Sequence, residues 1–441
     1  MTDRVLRSTR VVTPSGTRAA TIHIRGEKID RVGDYDESFD IDYGDLVILP
    51  GLVDSHVHVN APGRTEWEGF DTATRAAAAG GITTIIDMPL NSIPATTSVR
   101  ALLAKAEAMS GKCWVDVGLW GGAVPGNAGE LQPMLREGAL GFKCFLVDSG
   151  VPEFGWLDRS GLTEALHTLR DTNAPLLVHA ELSSHLHGMT DPRSYAAYVA
   201  SRPAEAEDAA IDMVLDEVRR TGARAHIVHL SSAGGLDGLR RARDERLRLT
   251  AETTPHYLFF EAETIPNAAP AFKCAPPIRD RANREQLWRG LDALQAVVSD
   301  HSPSTPDLKH LQDGDIEHAW GGIASLQFTL PIMNTLGLSP DRVAELMCSG
   351  PADLAGIHKG RIAPDYDADL TVFDPAETFC VRPQIIQHRH KVTPYAGEEL
   401  RGIVKATFVR GRKVWQDGGH IGSPIGRWIR GMLNVECSSS L

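Results

Sequence analysis

Eight short apolar runs rich in β-forming residues recur between residues 52 and 300, and helix-like stretches separate them. The runs span 52–59, 82–88, 114–119, 140–146, 175–180, 225–230, 248–253 and 296–300. Amphipathic stretches at 72–79, 99–109, 161–169, 204–219 and 284–294 lie between them. Such alternation specifies βα units and a parallel sheet. Eight units predict an α/β fold of the (β/α)8 TIM-like barrel type, whose active site is assembled at the C-terminal ends of the strands. An open doubly wound sheet is the competitor, but no Gly-x-Gly-x-x-Gly follows the first run.

The flanks of this middle section read differently. Short strands broken by turns fill the first 50 residues, and the same pattern returns at 368–373, 402–409 and 413–415. Too few to bury a core alone, the two sets predict one small β-sandwich domain built from both termini, residues 1–50 plus 360–420. The barrel then occupies 51–359, and 421–441 is expected to be a C-terminal tail ending in Cys437-Ser-Ser-Ser-Leu441.

Composition limits the function. A net charge of −12 without a basic block leaves no footprint for nucleic acid or an anionic membrane surface. The six cysteines show no CxxC spacing, which argues against a disulfide framework or a thiolate zinc site. The charged N-terminus and the lack of any run near the roughly 20 apolar residues needed to span a bilayer predict a soluble cytoplasmic protein.

Candidate ligands stand where the runs end. His56 and His58 alternate on one face of the first, so both imidazoles point the same way. His179 ends the fifth run and His229 the sixth. Any one of these is an ordinary strand-end histidine, but four imidazoles at one barrel rim suggest a metal site. Asp300 ends the eighth run and offers either a hard oxygen ligand and proton carrier or a helix cap. His301 beside it is expected to face away. Lys143 lies inside the apolar fourth run, where a bare ammonium is costly. It should be paired in a salt bridge, neutral, or modified; carboxylated by carbon dioxide, it would become an anion able to bridge two metals.

Here the chain resembles the amidohydrolase superfamily, in the cyclic-amidase branch of dihydroorotases, hydantoinases and allantoinases. The matching motifs are Gly51-Leu-Val-Asp-Ser-His-Val-His58, Gly80-Gly-Ile-Thr-Thr84, Gly141-Phe-Lys143, Val178-His179, His229-Leu-Ser-Ser232, Ser299-Asp300-His301 and Gly360-Arg-Ile-Ala-Pro364. The resemblance implies two divalent ions per subunit, zinc first, with manganese, cobalt or iron as alternatives. His56, His58 and Asp300 would hold the more buried ion and His179 and His229 the other. A carbamate on Lys143 (N6-carboxylysine) would bridge both, and Asp300 would carry the catalytic proton. Relatives are commonly homotetramers.

The loops bear on substrate. Dihydroorotases of this branch carry an arginine two residues after the second histidine, where this chain has Asn60, and hydantoinases place a tyrosine shortly after the lysine, where Cys144-Phe-Leu-Val-Asp148 has none. Met88-Pro-Leu-Asn91, Lys273-Cys-Ala-Pro-Pro-Ile-Arg-Asp280 and Ala319-Trp-Gly-Gly-Ile323 look like the allantoinase pattern, which implies allantoin, a hydantoin ring with a neutral ureido arm. Asn60, Arg64, Asn91, Ala275, Gly321 and Gly322 are the expected substrate contacts. Ser231, Ser232 and Ser302 lack a Gly-x-Ser-x-Gly elbow, against a serine hydrolase. A non-catalytic scaffold of this fold would lack the ligand set. His388-Arg-His390 is expected to be a surface or interface element, His256 to make a structural hydrogen bond or touch substrate, and Trp67 to pack a lid or fill core.

Overall fold

The computed structural model describes residues 3–431, so Cys437 and the serine-rich end lie outside the described residues. Each expected run contributes a barrel strand: Leu52–Val57, Ile82–Asp87, Asp116–Leu119 continuing as Gly121–Gly122, Phe142–Phe145, Leu176–His179, Ala225–Ile227, Leu249–Thr253 and Ala296–Val297. Neighbours pair in parallel around the ring. The ring closes through a bridge between Val57 and His301.

Most strands end one to three residues before the sequence pattern does. Asn60, Asn91, His229 and Asp300 all take left-handed backbone conformations, with φ of 64, 65, 40 and 45°. Such conformations are uncommon outside glycine and cluster where function constrains the chain. All four close barrel strands or the loops just beyond them.

The expected helices appear as Phe70–Ala79, Val99–Met109, Arg159–Leu169, Ala204–Thr221 and Arg281–Arg289. Three of them start where a side chain caps the first turn: Ser98 accepts from the Ala101 N–H, Asp158 from Gly161 and Asp280 from Asn283. The last was expected to run to 294. It stops at Gly290, and Leu291–Ala293 forms a separate single turn.

A nine-stranded sheet joins the two ends of the chain. At its centre Val47–Pro50 pairs in parallel with Arg4–Thr13 and antiparallel with Leu370–Cys380. Alternating residues Ala20, Ile22 and Ile24 meet Leu370, Val372, Ala406 and Phe408 in an apolar core of their own. Leu49, Phe373, Val409 and Trp415 belong instead to the core shared with the barrel. Gly51 alone separates the central strand from the first barrel strand, so the sheet aims His56 and His58 directly.

Residues after 421 do not all trail away as a tail. Trp428–Ile429 pairs in parallel with the third barrel strand at Val117 and Gly118. A Cβ on Gly426 would sit 1.9 Å from the Val115 oxygen, so only glycine permits this approach. Asp116 anchors the segment by accepting the Arg427 N–H at 2.9 Å.

That aspartate belongs to a buried ion network beneath the barrel. The Lys359 ammonium lies 2.9 Å from Asp116, 2.8 Å from Asp367 and 2.6 Å from Asp369, and Arg410 also pairs with Asp116. The three carboxylates cluster as if for a metal, and the lysine supplies the cation. Among the described residues, Lys359→Met leaves the buried Asp369 without a cationic partner, Asp116 with Arg410 alone and the half-buried Asp367 with Lys28 alone, and we expect a stability loss of about 3–5 kcal/mol in urea unfolding. A loss below about 1 kcal/mol, the level of an exposed pair, would contradict this reading of the network.

Candidate metal centre

The residues expected as ligands meet at the C-terminal mouth of the barrel. His56 Nε2 lies 3.2 Å from Asp300 Oδ1, and His58 Nε2 lies 3.5 Å from the same oxygen. His179 Nδ1 and His229 Nε2 face each other at 3.0 Å. The His56 and His229 rings are 5.4 Å apart, which links the two pairs, and ligand atoms of His56, His229 and Asp300 all fall within 4.8 Å of one another. Lys143 lines the same cavity; among the described residues its Nζ has no hydrogen-bond partner, and it stands 4.9 Å from the Phe145 ring centre. None of the six is more than 7% exposed.

Buried carboxylates fix the ring orientations. His56 Nδ1 lies 2.5 Å from Glu252 Oε1, which keeps the proton on Nδ1 and leaves the Nε2 lone pair facing Asp300. The other Glu252 oxygen meets His226 Nε2 at 3.2 Å, and His226 Nδ1 meets the Thr250 hydroxyl at 2.8 Å. On the far side, His179 Nε2 meets Glu181 at 2.7 Å and Arg202 holds that carboxylate at 2.6 Å, so His179 presents Nδ1. Asp54 accepts the backbone N–H of both His56 and Ser299, at 3.1 and 3.0 Å, and so ties the first strand to the eighth.

Electrostatics follow from burial and these pairings. Burial opposes the charge on Glu252, but His56 and His226 outweigh it and hold its pKa down at about 2. Burial likewise opposes the charge on Asp300, yet the His56 and His58 imidazoles keep it well below the usual carboxylate range. Lys143 is pushed down to about 8 by burial against the pull of Asp300 and Glu252. Its amine is therefore neutral far more often than an exposed lysine's.

Sequence reading missed Glu252, Glu181 and His226 as parts of the site. Glu252 carried a usable signal: a carboxylate inside a buried apolar strand, the same anomaly that singles out Lys143. His301 faces away as alternation requires, with Nδ1 3.2 Å from the Ser325 N–H. His388 is a correction, for it is fully buried against His301 rather than on the surface. The buried Glu68 carboxylate draws this segment in, accepting the Arg389 N–H at 3.1 Å, while His390 meets the Glu66 carbonyl at 2.7 Å. His256 is buried and, among the described residues, neither ring nitrogen has a partner, so the structural hydrogen bond expected of it is not seen there; burial lowers its pKa to about 4. Trp67 packs edge-on against Trp320 at 4.7 Å.

The cavity over these groups measures about 90 Å³. Asn91, Ala275, Gly321 and Gly322 line it with Leu90, Phe145, Ser149, Ser302 and Trp320. Asn60 and Arg64 do not, contrary to expectation. Asn60 is buried and donates to the Pro303 carbonyl at 3.1 Å, holding the loop after the eighth strand. Arg64 is drawn off by Glu153 and donates to the Asn91 carbonyl at 3.0 Å, so it braces Asn91 from behind.

Known proteins are similar to this chain in sequence and fold. The model of the amidohydrolase family matches residues 47–414. The allantoinase of Streptomyces avermitilis is 48% identical, covering 96% of this chain and 98% of its own, and the allantoinase of Saccharomyces cerevisiae is 45% identical, covering 87% and 86%. The solved L-hydantoinase (dihydropyrimidinase) of Arthrobacter aurescens superposes with a TM-score of 0.92 at 29% identity, over 98% of this chain and all of that one. A match spanning the barrel and reaching into the sheet on either side of it places this chain in the amidohydrolase family.

Proposed function

We propose that this protein hydrolyses allantoin, opening its hydantoin ring to give allantoate. What supports the reading most is the 48% identity to a curated allantoinase across nearly the whole of both chains. The cavity agrees with it. Apart from Lys143 its lining is uncharged but for Asp300 and the imidazoles, and it offers the backbone at Ala275, Gly321 and Gly322. A neutral ureido arm suits such a lining, whereas a carboxylated ring would call for an arginine.

The donor set fits a pair of divalent ions: imidazole nitrogens aimed at one another and at a carboxylate, beside an amine with no partner. His56, His58 and Asp300 would hold one ion and His179 and His229 the other. Lys143 would reach both once its neutral amine has attacked carbon dioxide and lost a proton, giving a carbamate with two oxygens. When bound, such ions acidify a water and polarise the substrate carbonyl. Asp300 Oδ takes the proton from the attacking water and returns it to the departing ring nitrogen, first base and then acid. Arg64 holds the Asn91 backbone carbonyl while the Asn91 side-chain amide lies 3.4 Å from His58 Nδ1, and Trp320 and Phe145 line the cavity. Zinc is the proposed ion. Homotetrameric assembly and a cytoplasmic location are proposed from the resemblance and composition; among the described residues no helix is long and apolar enough to cross a membrane.

A panel of allantoin, 5-substituted hydantoins, dihydrouracil and dihydroorotate tests the assignment. Allantoin is expected to lead in kcat/KM by at least about tenfold, the discrimination that a few matched hydrogen bonds supply. Faster opening of any competitor would overturn it.

A further inference from the structure

Lys309 stands in the loop after the eighth strand, 5% exposed. Its ammonium meets no carboxylate among the described residues. It donates instead to three backbone carbonyls, those of Lys273 at 3.1 Å, Trp320 at 2.8 Å and Gly322 at 2.5 Å. Burial pushes the Lys309 pKa down to about 7, and in its charged form the three N–H donors match the three carbonyls. Hydrogen bonds to an ionised group are also stronger than neutral ones, which suits the lysine to fixing a backbone.

Two of those carbonyls flank Gly321. Because a peptide unit is planar and trans, pinning the Trp320 oxygen also fixes the direction of the Gly321 N–H, on the opposite edge of the same plane. Among the described residues that N–H meets no acceptor, and Gly321 lines the cavity over the metal ligands. A second lysine secures the approach: Lys273 Nζ donates to the Glu317 and Ala319 carbonyls at 2.8 Å each, and the Lys273 carbonyl accepts the Gly322 N–H at 2.8 Å. Gly322 itself, at φ 151°, lies so near Ser302 that a Cβ would come within 2.4 Å of its backbone oxygen.

We propose that Lys309 is a positioning residue that holds the Trp320-Gly321-Gly322 backbone in its substrate-receiving shape and so sets how tightly the cyclic amide is bound. The proposal rests on the functional reading above only in taking this cavity as the substrate site. Lys309→Met removes the three donors and keeps much of the apolar stem. The expected result is a rise in KM of at least about tenfold with kcat within about twofold and unchanged zinc content after reconstitution. In the same variant, free of substrate, deuterium uptake over residues 318–324 should quicken. Lys309→Gln retains a shorter neutral donor and should give an intermediate KM, which also serves if Lys309→Met does not fold. Unchanged KM and exchange in these variants overturn the proposal, as does a fall in kcat and zinc content with KM unaltered. If the wild type opens another cyclic amide in place of allantoin, the same KM split is read on that compound, and the exchange measurement needs no substrate.

Discussion

Lys143→Ala is expected to lose both metal ions and to retain less than about one-thousandth of the wild-type ring-opening rate, since the ions supply both the acidified water and the polarised carbonyl. The amine is buried, unpartnered and lowered in pKa to about 8, so no structural salt bridge is forfeited by its removal. What goes is the group that would reach both ions. Alanine leaves an opening into which a short carboxylate such as acetate or propionate can bind, and partial recovery of activity and metal content in its presence is expected. Elemental analysis beside initial rates reads both effects. Wild-type metal content in this variant would show that the lysine is structural.

Asp300→Asn is the second large effect. The amide keeps the shape of the side chain but cannot take a proton, so kcat should fall by about 10²–10⁴ while KM changes little. His56 and His58 both point Nε2 at this oxygen, at 3.2 and 3.5 Å, so affinity for the ion beside them should weaken as well. A kcat within about tenfold of wild type would remove Asp300 from the proton transfer.

Much of this site was legible in the sequence because barrel strands end where chemistry begins. An apolar run closing on histidine, lysine or aspartate carries its own signal, and Lys143, His179, His229 and Asp300 each stand at or in such a run. Other parts were hidden for identifiable reasons. The direction of a loop side chain depends on its neighbours: Asn60 turns to Pro303 and Arg64 to Glu153, and neither partner is near in sequence. Glu68 draws His388 into the interior across more than 300 residues, which composition alone cannot show. The pairing of Trp428–Ile429 with the third strand depends on one small residue, Gly426, at a crowded approach. Nothing in the sequence marks Lys309, whose three carbonyl partners all belong to other loop positions.

The substitution pattern and the cavity also bear jointly on substrate. Asn60 stands where the resemblance places a dihydroorotase's arginine, and its side chain holds the loop at Pro303. On the proposed function its contribution to selectivity would be the absence of a cation at that position, and discrimination would fall to Asn91 and the backbone held by Lys309.

The most direct test of the central claim is anomalous diffraction from crystals of the zinc-loaded protein grown with bicarbonate. Two peaks are expected, one beside His56, His58 and Asp300 and one beside His179 and His229, with carbamate density joining Lys143 Nζ to both. A single peak or none, with Lys143 as a bare amine, would contradict it.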